Sequence, residues 1–161
     1  MATISRTRNR MKIRSGSNMD GGHKPPLLEV HMADEAKVKL FATHMLNMAM
    51  SIAHDELPRE YGYAPSESKD YIDPRDMEIA LEEAREFAHH MQQCGLDMDS
   101  WSPQTLMLAG LSFWCVRNGY GTSFSGYPAY FTDSEARALE NISFLFPAVF
   151  PYMNDGKVRI Y

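Results

Sequence analysis

The apolar residues of this chain recur with helical period in three stretches and alternate in two others. Val38, Phe41, Met45, Met48 and Ile52 follow one another at spacings of 3, 4, 3 and 4 behind Asp34. That stripe predicts an amphipathic helix from Asp34, its N-cap, to about His54. Pro58, Gly62 and Pro65 then predict an irregular stretch through Tyr71. Asp73-Pro74 places a capping side chain before a proline at the first helical position and opens a second helix. Its buried face is Met77, Leu81, Ala84, Ala88 and Met91, and Gly95 ends it. Ser102-Pro103 is a similar start, predicting a short helix that Gly110 stops after Ala109.

Beyond Gly110 the pattern shifts to a period of two. Ser112 to Arg117 and Thr122 to Phe124 flank Asn118-Gly119-Tyr120-Gly121, a hairpin signal because Asn and Gly tolerate the positive φ of tight turns. Thr132-Asp133-Ser134-Glu135 reads as a capping box, with Ala136, Leu139, Ile142 and Phe146 as the stripe behind it and Pro147 as the stop. Val149 to Met153 and Lys157 to Tyr161 flank Asn154-Asp155-Gly156, a second hairpin signal. The expected order is α-α-α-ββ-α-ββ. The fold class is α+β, with the helices packed on one face of a small antiparallel sheet made of the two hairpins. This single domain spans residues 27–161, behind residues 1–26, which lack apolar periodicity and read as a flexible basic tail.

Charge divides the chain at the same place. Residues 1–24 carry Arg6, Arg8, Arg10, Lys12, Arg14 and Lys24 against Asp20, a net of +5, and the remainder carries ten bases and twenty acids, a net of −10. The tail suits nucleic acid and the acidic body repels it. Apolar residues at 44% and charged residues at 23% describe a soluble globular protein able to bury a core. No apolar run approaches the ~18–20 residues of a membrane helix, so no membrane association is expected. Cys94 and Cys115 lack a partner at metal-finger spacing and read as reduced thiols of a cytoplasmic protein.

Candidate chemistry is sparse. His44 and His54 lie ten residues apart, about 15 Å along a helix, too far to share one ion, and the adjacent His89 and His90 diverge by about 100°. No metal and no cofactor is expected. Gly119-Tyr120-Gly121 precedes no helix and lacks a third glycine, and no Gly-x-Ser-x-Gly elbow occurs, so phosphate-loop and serine-hydrolase chemistry have nothing to rest on. What stands out instead is surface. Glu78, Glu82 and Glu86 share one face of the second helix, with Glu83 beside them, either as a solvated face or as a dock for a basic partner. Trp101, Phe113, Trp114, Tyr120, Phe124, Tyr127, Tyr130 and Phe131 crowd into about thirty residues, as core or as an interaction surface. Arg117, Asn118 and Tyr120, at the turn of the first hairpin, are the expected recognition residues.

The segment from Phe113 to Phe124 resembles a motif of small uncharacterised tailed-phage proteins, of the type Phe-Trp-x-Thr-Arg-Asn-Gly-His-Gly-x-Gly-Phe-Trp-Asp, and Asn154-Asp155-Gly156-Lys157-Val158 resembles that family's C-terminal hairpin. The family's His is Tyr120 here, and its Trp-Asp is Ser125-Gly126. The resemblance implies a phage origin, hence the host cytoplasm, and a fold outline, and it lends no known activity. Two functions follow as expectations, with an enzyme of unrecognised type left open beside them. The first is a non-enzymatic accessory protein that binds a host or phage protein through its acidic and aromatic surfaces, a DNA mimic being one form of it. The alternative is nucleic-acid association through Arg6, Arg8, Arg10, Lys12 and Arg14.

Overall fold

The computed structural model describes residues 32–161. The expected tail, its five candidate nucleic-acid residues included, lies outside the described residues. Four helices carry the architecture: α1 (Glu35–Tyr61), α2 (Pro74–Gln93), α3 (Pro103–Asn118) and α4 (Asp133–Ser143), followed by the strands β1 (Tyr152–Asn154) and β2 (Lys157–Arg159). Short 3-10 turns at Met98–Ser100 and Phe124–Gly126 precede α3 and α4.

The helix starts are where the capping chemistry puts them. The Asp34, Asp73 and Ser102 side chains accept backbone N–H groups of Ala36, Arg75 and Thr105 at 2.8, 2.9 and 3.1 Å. At α4 the capping box is complete: Glu135 N–H donates to Thr132 Oγ1 at 3.3 Å and Thr132 N–H donates to Glu135 Oε2 at 2.7 Å. The helix ends differ more. Pro58 lies inside the last turn of α1, which runs on to Tyr61 instead of stopping near His54. A proline there removes one intrahelical bond and leaves the rest of that turn intact.

The larger correction concerns residues 110–124. No strand forms there; α3 continues through Gly110 to Asn118, and the four-stranded sheet is replaced by one antiparallel pair, β1 with β2. The molecule is mostly helical and α+β only in this coarser sense. Two sequence signals have a second physical meaning. Gly110 is a packing residue: a Cβ on it would sit 2.5 Å from the Phe41 carbonyl oxygen and 3.1 Å from the Met45 nitrogen, so α3 lies directly on the backbone of α1. Asn118-Gly119 is a helix terminus, with Gly119 left-handed at φ 77° and its N–H bonded to the Cys115 and Val116 carbonyls. Both faces of the segment are apolar because α3 is buried nearly all round, Phe113, Trp114, Cys115 and Val116 included.

α3 runs parallel to α1. Lys37 near the start of α1 bonds the Asp99 and Trp101 carbonyls just before α3, Gly110 meets Phe41 and Met45, and Tyr120 after α3 reaches Glu56. A chain of rings ties the layers together. Phe41 of α1 stacks on Phe87 of α2 at 5.1 Å, Phe87 meets Phe113 of α3 at 4.9 Å, and Phe113 meets Phe146 beyond α4 at 5.0 Å. The strand pair turns at the expected Asn154-Asp155-Gly156 signal, with Met153 opposite Val158 and both turned inward, but its strands are three residues each, shorter than the expected Val149 to Met153 and Lys157 to Tyr161, and Asn154 pairs within β1. The Ser66 N–H and hydroxyl both donate to the Gly156 carbonyl, at 2.8 and 2.9 Å, and join the hairpin to the stretch after α1.

Candidate functional site

Arg117 and Asn118 end α3, and their side chains hold the chain that follows α4. The Arg117 guanidinium is buried and donates to both oxygens of Glu83 on α2, at 2.6 and 3.0 Å. Through Nε and Nη2 it also donates to the Pro147 carbonyl, at 3.1 and 2.6 Å. Its carbon lies 5.2 Å from the centre of the Phe113 ring, so the charge is enclosed by rings on one side and by acceptors on the other. Tyr161 donates its hydroxyl to Glu83 as well, and burial beside that carboxylate pushes the phenol far above its ordinary range. Asn118 bridges from the Trp114 carbonyl, at 2.9 Å, to the Val149 N–H, at 2.7 Å.

These contacts correct two expectations. Arg117 and Asn118 are not exposed recognition residues of a hairpin turn; they fix the loop 147–149 to the core. Tyr120 is likewise half-buried, its hydroxyl 3.1 Å from Glu56, and burial, with that carboxylate beside it, raises its pKa. Of the acidic residues on α2, Glu78, Glu82 and Glu86 do stand exposed on one face. Glu83, one residue on from Glu82 and about 100° round the helix, points inward to Arg117. The structure therefore does not bring Arg117, Asn118 and Tyr120 together with the Glu78, Glu82 and Glu86 face.

What the clamp displays lies on either side of it. Phe144 and Leu145 follow α4 at 67% and 63% exposure, and Phe150 follows the clamped loop at 65%. Phe146, between them, is buried in the ring cluster. The sequence held one signal for this: Phe144 and Leu145 are large apolar residues that fall between the stripe positions Ile142 and Phe146. Beside Phe144 opens a cleft of about 390 Å³ lined by Cys115, Thr122, Ser123, Ser125 and Glu140. Its chemistry is weak. Burial pushes the Cys115 thiol up, away from the thiolate a nucleophile needs, and the Ser123 and Ser125 hydroxyls bond to one another at 2.7 Å. Comparison with family models, with curated proteins and with solved structures finds no match.

His89 and His90 both contact Gln93 on the surface of α2, at 3.0 and 3.3 Å. Among the described residues no group of three His, Cys, Asp or Glu side chains could hold a metal ion. Among the same residues, no helix is long and apolar enough to cross a membrane. The arrangement built with most care is the buried ion pair that holds an apolar loop at the surface.

Proposed function

We propose that the chain is a non-enzymatic protein-binding module that engages a host or phage protein through the Phe144, Leu145 and Phe150 surface, with acidic side chains around it. The observation that carries the reading is the clamped loop. Burying a large apolar side chain is worth about 1.5–3 kcal/mol, so three left in water are a standing source of binding energy. Holding them on a loop fixed by Arg117 and Asn118 lowers the ordering cost of association. The phage origin, and with it the host cytoplasm, is supported by the resemblance of Phe113 to Phe124 and Asn154 to Val158.

The test is the double substitution Phe144→Ser, Leu145→Ser in the full chain. Capture of protein partners from host lysate should fall sharply while the melting temperature stays within about 2 °C, because surface changes of this kind alter stability by under about 0.5 kcal/mol. Undiminished capture sinks the proposal. A second reading, nucleic-acid association through Arg6, Arg8, Arg10, Lys12 and Arg14, is supported by the +5 net charge of residues 1–24.

A further inference from the structure

On α1, Ala53, Glu56, Leu57 and Glu60 are spaced three, one and three residues apart, which stacks them along one face over two turns. With Tyr120 and Phe150 they line a cavity of about 120 Å³. Its floor is apolar, since Ala53 and Leu57 are buried, and its rim is acidic, since Glu56 and Glu60 are exposed. Tyr120 is held beside the carboxylates by its 3.1 Å bond to Glu56. Phe150 stands at the exposed end of the loop that Arg117 and Asn118 clamp. None of the described residues lining the cavity is basic.

Two carboxylates one turn apart repel one another, and a cation between them relieves the repulsion. Aromatic walls add attraction for the same cation. We propose that this cavity receives one arginine side chain of a protein partner, its guanidinium between Glu56 and Glu60 and its flat face against the aromatic residues. Arginine fits better than lysine for three reasons: its planar fork matches carboxylates, it stacks on rings, and it gives up hydration more readily than an ammonium. The site rests on the protein-binding reading and names the partner's chemistry, a segment presenting one arginine beside apolar residues that can cover Phe144, Leu145 and Phe150. The acidic balance of residues 25–161 draws such a segment in.

The experiment titrates the isotope-labelled full chain with N-acetyl-arginine amide, with the lysine analogue and with the neutral isostere citrulline amide. Saturable amide shifts confined to residues 53–60, 120 and 150 are expected for arginine, weaker ones for lysine and none for citrulline. Glu60→Gln should weaken arginine binding about tenfold, the loss of one charge-assisted hydrogen bond, and Glu78→Gln on α2 should leave it unchanged. Four results overturn the site: no shift at saturating arginine, equal shifts with citrulline, equal affinity for lysine, or shifts spread over the acidic face of α2. Their occurrence leaves the capture experiment on Phe144 and Leu145, which lie outside the cavity, to judge the protein-binding reading by itself. Arginine shifts together with undiminished capture support the site and overturn that reading.

Discussion

The Arg117 guanidinium and the Glu83 carboxylate meet in a two-pronged ion pair, 2.6 and 3.0 Å long, in which the arginine side chain has no exposure and the glutamate 15%. Thirty-four residues separate the partners along the chain, and a third element joins them through Pro147. Burying two charges costs several kcal/mol of hydration, offset here because the fork of one fits the acceptors of the other and Tyr161 and Pro147 take up further bonding capacity.

Breaking one side of such a pair is worse than never having made it. Arg117→Ala should therefore destabilise by about 3–5 kcal/mol, read from urea unfolding, because Glu83 is left as an unpaired carboxylate. Arg117→Lys should recover little of that loss, since a point charge cannot serve Glu83 and Pro147 at once. A cost below about 1 kcal/mol, the range of an exposed pair, would mean the pair is not buried in solution.

The close approach of α1 and α3 gives a second prediction. Gly110→Ala gains about 1 kcal/mol of helix propensity in the abstract, yet here its methyl group would lie 2.5 Å from the Phe41 carbonyl oxygen. Backbone cannot swing aside as a flexible side chain does, so the helices must separate, and a net loss of about 1–3 kcal/mol is expected. Gly126→Ala is the control, because nothing lies within 4 Å of its added Cβ. Thermal melts of the two variants decide it: a Gly110→Ala protein as stable as the control would contradict the packing.

How much of this was legible in the sequence depends on how far each signal reaches. Asp34, Asp73, Ser102 and Thr132 start their helices by bonding within three residues, so local chemistry settles those ends. Asn154-Asp155-Gly156 is equally local, with Asp155 at φ 52° and Gly156 at φ 74° as a hairpin turn requires. Asn118-Gly119 is just as permissive, and whether it turns a hairpin or ends a helix depends on what covers Phe113 and Trp114 from outside. The role of Gly110 is set by Phe41 and Met45, and the burial of Arg117 by Glu83 and Pro147; no window around either residue contains those partners. The candidate site was missed for a related reason. Phe144 and Leu145 become surface residues only because Phe146, two positions on, is the one drawn into the ring cluster.

Two carboxylates should respond to acid in opposite senses. Glu135 accepts the Thr132 N–H and hydroxyl, and those bonds hold its carboxyl below the ordinary value. Its contribution is present above the unfolded pKa, about 4.3, and is lost as pH falls through the folded one. Asp76 is the reverse: burial raises its carboxyl despite the N–H groups of Ile160 and Tyr161 that it accepts at 3.2 and 3.3 Å. The folded protein holds that proton more tightly than the unfolded chain does, so the contribution is present below the unfolded pKa, about 3.9, and is lost as pH rises through the folded value. Unfolding free energies across this range should show the advantage of wild type over Glu135→Gln growing with pH, and that over Asp76→Asn shrinking. Parallel curves for both variants would show that neither carboxyl is perturbed.

The division of charge along the chain supports the remaining prediction. Replacing Arg6, Arg8, Arg10, Lys12 and Arg14 with glutamine removes five bases and leaves the acidic body, at a net of −10, untouched. If those bases meet phosphates, the unsubstituted chain should bind duplex DNA with a log–log salt slope of about −4 to −5, since each neutralised phosphate releases close to one counterion. The substituted chain should not bind at all, because what remains repels the duplex. Partner capture through Phe144 and Leu145 should survive in the substituted chain, as apolar burial does not depend on those charges. DNA binding of equal strength by both proteins would place the nucleic-acid surface on residues 25–161. An acidic body that binds DNA in that way would need a basic patch that its ten lysines and arginines, four of them paired as Arg85 with Glu35, Arg117 with Glu83, Lys157 with Glu67 and Arg159 with Glu67 and Asp73, are poorly placed to supply.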